Sequence, residues 1–157
     1  MNVWVDGDSV PRDVRRILLQ RKELKNDTQS QPQSQVLRFI TTVRLPDVPL
    51  VYITKVSSGP DAADTYIEEN AKAGDIVITR DIPFMERLAE KGIWALNDRG
   101  ELITRENSAE WRSLRDASLT LRNLGILPDM PKGSTRTPAD TKRFADSLDR
   151  LLTKLLR

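Results

Sequence analysis

Ile76-Val77-Ile78-Thr79-Arg80-Asp81-Ile82-Pro83, running on through Phe84 to Lys91, Gly92 and Ile93-Trp94-Ala95-Leu96, reads as strand, short helix and strand in succession. Ile76 to Ile78 is a β-branched run without polar alternation, the pattern of a strand buried on both faces. Gly92 stops the helix and Ile93 to Leu96 resumes as a strand. Working upstream, Asp61 to Ala73 places Ala63, Ile67 and Ala71 at helical spacing, with Gly74 as its closing cap. Ser57-Ser58-Gly59-Pro60 breaks the chain before it. Val36 to Thr42 and Leu50 to Val56 read as two strands separated by Pro46 and Pro49. Lys25 to Gln35, rich in Gln, Ser, Asn and Pro, reads as a flexible loop. Val14, Ile17, Leu18 and Leu24 give a first helix opened by Pro11, and Val3-Trp4-Val5 a first strand that stops at Asp6-Gly7-Asp8. The alternation predicts an α/β fold with a mostly parallel sheet of about five strands covered on both faces.

Downstream of the turn Asn97-Asp98-Arg99-Gly100 the pattern is helical only. Trp111, Leu114, Leu119, Leu121 and Leu124 belong to one helix, Gly125 to Pro138 to a loop, and a last helix from about Ala139 carries Phe144, Leu148, Leu151, Leu152 and Leu155. The expectation is one domain over 1–157, with an α/β core over 1–105 and C-terminal helices over 106–157. The last helix would pack on the sheet or on a second copy, as in a homodimer.

Composition narrows the chemistry. The 157 residues contain no Cys and no His, which removes disulfides, thiol nucleophiles, imidazole metal sites, a histidine base and the Ser-His-Asp triad. Catalysis would run on carboxylates, hydroxyls, Lys, Arg or a hard, oxygen-bound metal. Lys and Arg number 25 against 23 Asp and Glu, a net charge of +2. Interspersed as they are, they describe a solvated, ion-paired surface, with only a slight excess toward nucleic acid. The start Met1-Asn2-Val3-Trp4-Val5-Asp6 lacks the basic and long apolar regions of a signal peptide, and no run approaches the roughly 18 apolar residues of a membrane span. A soluble, cytoplasmic protein with no membrane contact is expected.

Ligands of parallel α/β sheets bind outside the carboxyl ends of the strands, where the strand order reverses. Acidic residues fall there repeatedly: Asp6 and Asp8 after the first strand, Asp61 and Asp64 opening the second helix, and Asp81 after Ile76 to Ile78. Glu68 shares a helix face with Asp61 and Asp64. Carboxylates brought within a few ångströms repel unless a cation or proton intervenes, and Mg2+ or Mn2+ needs only one or two of them beside substrate phosphate. Taken singly, each Asp also suits a cap or turn, Asp8 beside Pro11 and Asp61 after Gly59-Pro60 above all. Arg80 would meet either a carboxylate or a phosphate. Asn97, Arg99 and Gly100 would form either a tight turn or, through Arg99, a phosphate fork.

Four motifs in register resemble one known family. Trp4-Val5-Asp6-Gly7-Asp8-Ser9-Val10-Pro11, Gly59-Pro60-Asp61-Ala62-Ala63-Asp64, Gly74-Asp75-Ile76-Val77-Ile78-Thr79-Arg80-Asp81-Ile82-Pro83 and Ala95-Leu96-Asn97-Asp98-Arg99-Gly100 look like the signatures of the YaiI/YqxD family of uncharacterised bacterial proteins, grouped with the PIN-like nucleases. The resemblance implies a Rossmann-like three-layer α/β/α fold and carries the family's acidic positions onto Asp6, Asp8, Asp61, Asp64 and Asp81. Val10 stands where the family usually has Cys, Asp98 where its turn has Pro, and Thr141 where an Arg is expected. The expected function is a Mg2+- or Mn2+-dependent nuclease or related phosphoester hydrolase, acting on RNA rather than DNA. Asp6, Asp8, Asp64 and Asp81 would be catalytic metal ligands, Asp61 a further ligand, and Arg99, Arg80 and Asn97 the phosphate contacts. The alternatives are a non-catalytic nucleic-acid-binding or regulatory module that retains the acidic site, and an oligomer-forming structural protein.

Overall fold

A computed structural model describes residues 1–25, 36–59, 61–128 and 136–156. The chain runs β1 (Val3–Asp6), α1 (Arg12–Gln20), β2 (Leu37–Thr41), β3 (Ile53–Lys55), α2 (Ala62–Asn70), β4 (Ile76–Ile78), α3 (Ile82–Glu90), β5 (Trp94–Leu96), β6 (Leu102–Ile103), α4 (Ser108–Asn123) and α5 (Pro138–Leu155). The strands form one sheet in the order β3-β2-β1-β4-β5-β6. All neighbours are parallel except β5 and β6, which pair antiparallel with Ala95 opposite Ile103. The fold is Rossmann-like α/β. No helix of the described residues is long and apolar enough to cross a membrane.

Side-chain alternation along each strand divides the core between two faces. Val3, Val5, Leu37, Phe39, Ile76 and Ile78 point to one face, where Val14, Ile17 and Leu18 of α1 and Phe144, Leu148, Leu151 and Leu152 of α5 cover them. Trp4, Ile40, Val77 and Ala95 point to the other, under Ala63 and Ile67 of α2 and Phe84, Met85 and Leu88 of α3. The leucines of the last helix therefore lie on the sheet. Helix α5 is secured at its start by a reciprocal cap: Asp140 N–H donates to Thr137 Oγ1 (3.3 Å) and Thr137 N–H to Asp140 Oδ2 (3.0 Å). Thr137→Ala is expected to cost about 1 kcal/mol, read as a lower urea midpoint with an unchanged slope.

Local structure departs from the sequence expectation at four places. The first helix ends at Gln20, and Lys22–Leu24 is a separate 3-10 turn. Leu50–Tyr52 is another 3-10 turn, closed by Tyr52 N–H on Pro49 O (3.0 Å), so only Ile53–Lys55 pairs as the edge strand. Helix α2 stops at Asn70, short of Gly74, because the Asp75 carboxylate takes the Lys72 N–H (3.0 Å) that a longer helix would use. Finally, β6 is a two-residue strand, too short for any hydrophobic period to announce. The loop expected over Lys25 to Gln35 lies outside the described residues from 26 onward, as do Pro60 and 129–135 of the loop before α5.

Candidate functional site

The chain leaves β3 at one edge and returns through α2 to β4, on the other side of β1, so the strand order reverses between β1 and β4. Asp6 ends β1 there and is buried. Two residues beyond Trp4, it shares that residue's face and points toward α2. Thr79, two residues beyond Val77, is on the same face, and its Oγ1 donates to Asp6 Oδ2 (3.1 Å). Asp8 N–H donates to Asp6 Oδ1 (3.3 Å). Gly7 between them lies against β2, where a Cβ would meet Thr41 Cβ at 3.0 Å and Ile40 O at 3.1 Å.

Across the cleft, the first turn of α2 presents Asp64, which is 8% exposed. Its carboxyl is pushed up to about 7, first by burial, then by the Asp6 charge, a shared hydrogen bond with Asp6, and the charges of Asp81 and Asp61. Asp81 caps α3, its Oδ1 accepting from Phe84 N–H (3.1 Å). Asp61 sits at the N-cap position of α2, yet its side chain caps nothing. It is the only non-glycine residue with positive φ (57°) among the described residues, a strained conformation that leaves its carboxylate uncommitted to the helix.

Other expected site residues are occupied elsewhere. Asp8 is bound to the end of β2, accepting from Thr41 Oγ1 (2.8 Å), Thr42 N–H (2.9 Å) and Thr42 Oγ1 (2.8 Å). Partial burial opposes its charge, but these hydrogen bonds outweigh it and hold the carboxyl below the ordinary range. Asn97 builds the β5–β6 turn: Oδ1 accepts from Arg99 N–H (3.0 Å) and Glu101 N–H (2.9 Å), and Nδ2 donates to Glu101 Oε1 (3.1 Å). Its amide is thus spent on the turn, the plainer of its two expected roles. Arg99 lines a cleft of about 550 Å³ with Arg143, Ser147 and Arg150, a cleft that none of the acidic cluster lines. Glu68 bridges Lys91 (2.9 Å) and Arg87 (3.7 Å) on the surface.

All the donors in the acidic cluster are hard oxygens, which suits Mg2+ or Mn2+. Among the described residues no group of three or more Asp or Glu is arranged to hold a metal ion. The hydrogen-bonded pair Asp6 and Asp64 matches the one or two carboxylates such an ion takes when water and phosphate oxygens complete its shell.

A family model described as an uncharacterized BCR, YaiI/YqxD family matches residues 4–154. The chain belongs to the YaiI/YqxD family. The UPF0178 protein of Citrifermentans bemidjiense is 42% identical over 158 residues, covering 100% of this chain and 97% of the relative. The UPF0178 proteins of Trichlorobacter lovleyi and Shewanella amazonensis are 36% and 37% identical over 161 and 155 residues, spanning 100% and 99% of this chain and 97% and 99% of their own. No solved structure matches the chain.

Two departures from the YaiI/YqxD motifs have a structural counterpart. Asp98 is buried, and Arg136 Nη1 donates to both its carbonyl and its Oδ2 (3.1 Å), while Arg80 Nε lies 3.3 Å from the same Oδ2. Arg80 is half-exposed and so already has a carboxylate partner. Thr141 Oγ1 donates to Asp13 Oδ2 (2.8 Å), which also accepts from Arg136 Nε (2.7 Å). Burial raises Asp13, but Arg136 and Thr141 outweigh it and keep the carboxyl low. The chain Asp13-Arg136-Asp98-Arg80 fastens α1, α5 and the strand ends together. Sequence reasoning missed it, because Arg136 lies 123 residues from Asp13 and no local pattern links them. Thr79 was findable, two residues past Val77 on the face that carries Asp6.

Proposed function

We propose that this protein is a divalent-metal-dependent phosphoester hydrolase acting on nucleic acid, RNA in preference to DNA, through the cleft between β1 and β4. The observation that carries the reading is Asp64: its carboxyl is pushed up to about 7, first by burial and then by the neighbouring Asp6, Asp81 and Asp61, at the switch point of the sheet. A fold maintains such repulsion at some cost, and a bound cation relieves it. Asp6 and Asp64 would hold Mg2+ or Mn2+, with Asp81 and Asp61 on the rim and Asp8 fastening the loop to β2 rather than ligating. When bound, the ion would activate water and stabilise charge on the phosphate. Thr79 orients Asp6 through its hydroxyl. Arg80, half-exposed beside the cleft, would exchange its contact with Asp98 for a substrate phosphate, Asp98 keeping Arg136 as partner.

Mn2+ is expected to raise the melting temperature of the parent at pH 7.5 and to leave Asp6→Asn unmoved. In parallel, Mn2+-dependent cleavage of a single-stranded RNA oligonucleotide should fall by at least about 100-fold in Asp6→Asn, about 2.7 kcal/mol of transition-state stabilisation. Cleavage by Asp6→Asn at the parental rate overturns the role of Asp6. Binding of Mn2+ and RNA without turnover by the parent identifies a non-catalytic module, and faster cleavage of DNA of the same sequence reverses the preference for RNA.

A further inference from the structure

Arg80 stands in the chain between two residues of the acidic cleft, yet its side chain leaves in the other direction. Its backbone is held on both sides. The Thr79 hydroxyl donates to Asp6 (3.1 Å), Asp81 caps α3, and the Arg80 N–H donates to Ser9 Oγ (3.3 Å). Ile78 faces the layer of α1 and α5, and Arg80, two residues on, reaches that same side, where its Nε lies 3.3 Å from Asp98 Oδ2. Leu96, two residues before Asp98, faces that layer as well. Asp6 and Asp64 lie on the α2 side of the strand ends. A phosphate on Arg80 is therefore a different one from the phosphate that a metal ion at Asp6 and Asp64 would meet.

The two partners of this ion pair differ in what they need. The Arg80 side chain is 52% exposed and that of Asp98 only 7%. Asp98 is already secured without Arg80, because Arg136 Nη1 donates to its carbonyl and to Oδ2 (3.1 Å), and Arg136 is fixed in turn by Asp13 (2.7 Å). When Arg80 swings away, the buried carboxylate keeps a cation, so no uncompensated buried charge is left behind. A guanidinium takes a phosphate oxygen through the same charge-assisted hydrogen bonds as a carboxylate oxygen. We infer that Asp98 is an internal competitor for a substrate phosphate: it occupies Arg80 in the free protein, and the phosphate next to the scissile one displaces it. The ligand is then a phosphodiester polymer that crosses the strand ends from the α2 side to the α5 side, and Asp98 sets how tightly it is held. This rests on the nucleic-acid reading above.

Fluorescence anisotropy of a labelled single-stranded RNA oligonucleotide, without added metal so that nothing is cleaved, tests it as a double-mutant cycle. Asp98→Asn keeps an oxygen for Arg136 but gives up the charge, and should tighten binding about threefold, the scale of a partly exposed ion pair. Arg80→Gln should weaken binding and lower the slope of log affinity against log salt by about 0.7, one single-stranded phosphate contact. In the Arg80→Gln background, Asp98→Asn should change nothing. Asp149→Asn removes the same charge from the Arg21 pair at the other end of α1 and should bind as the parent does. No tightening by Asp98→Asn, tightening that persists without Arg80, or an equal gain from Asp149→Asn overturns the inference and leaves the acidic cleft as it stands. So does an Arg80→Gln protein with the parental affinity and salt slope, an arm that holds whether or not Asp98→Asn folds. A parent that binds no RNA at any salt overturns the inference together with the nucleic-acid reading.

Discussion

Gly100→Ala should lower stability by about 3 kcal/mol, which for a chain of this size is a fall of about 6–12 °C in the thermal midpoint. Gly100 has φ +81°, where an L side chain costs roughly 1 kcal/mol. The larger part is steric. A Cβ at this position would lie 2.5 Å from Arg143 O, 2.7 Å from its carbonyl carbon and 2.9 Å from Ser147 Oγ. Two of those three atoms are α5 backbone, so relief requires the helix to move, and overpacking of that kind costs about 1–3 kcal/mol. Ser147 Oγ also donates to Gly100 O (2.7 Å), a hydrogen bond the displacement would break. Gly59→Ala is the control: it has nothing within 4 Å and no positive φ, and should melt as the parent does. A Gly100→Ala protein that also melts with the parent would mean that α5 does not seat on the β5–β6 turn.

Asp64→Asn should stabilise the protein at pH 8 and do nothing at pH 4. In the unfolded chain Asp64 loses its proton near 3.8, whereas in the fold it keeps it to about 7. Between those values the native state holds one more proton than the unfolded state, so stability falls as pH rises from about 4 to about 7 and stays reduced above it. The undiscounted linkage is about 4 kcal/mol at 1.36 kcal/mol per unit. Screening and relaxation of the surrounding groups reduce this, and about 2 kcal/mol is the expected effect. Asparagine mimics the neutral carboxyl at every pH, so the gain should grow from zero to about 2 kcal/mol across this window. Urea titrations at pH 4, 5.5 and 8 measure it. An equal gain at all three would show that Asp64 does not titrate in this range.

The strand–helix–strand unit from β4 to β5 was legible because unbroken β-branched runs and a glycine stop leave few other readings. The acids near the strand ends were legible because ligands of parallel sheets gather outside the carboxyl ends of the strands, and of those acids Asp6 after β1 and Asp64 in the first turn of α2 face each other. What misled was chemistry that looks alike in one dimension. A carboxylate or amide that fastens its own loop, as Asp8 and Asn97 do, has the same spacing as one that faces a ligand, and only the positions of Thr42 and Glu101 separate the two. Asp75 shows the same limit from the other side. Quoted in the sequence only as part of a motif and given no role, it is buried and accepts from Asn2 N–H (2.9 Å), Trp4 Nε1 (3.1 Å) and Lys72 N–H, and so decides where α2 ends. Long-range partners such as Arg136 leave no local trace at all.

The sharing of one face of the sheet between α1 and α5 bears on how the chain is made. Val14, Ile17 and Leu18 leave the ribosome long before Phe144, Leu148, Leu151 and Leu152, which complete the same cluster. Until then one side of the nascent sheet has only half its cover, a greasy surface open to chaperones or to neighbouring nascent chains. Arg136, arriving just ahead of those residues, carries the charge that joins Asp13 to Asp98, which Arg80 already contacts, so the closing of the apolar layer and the completion of this ion-pair chain both fall to residues 136–152 during translation.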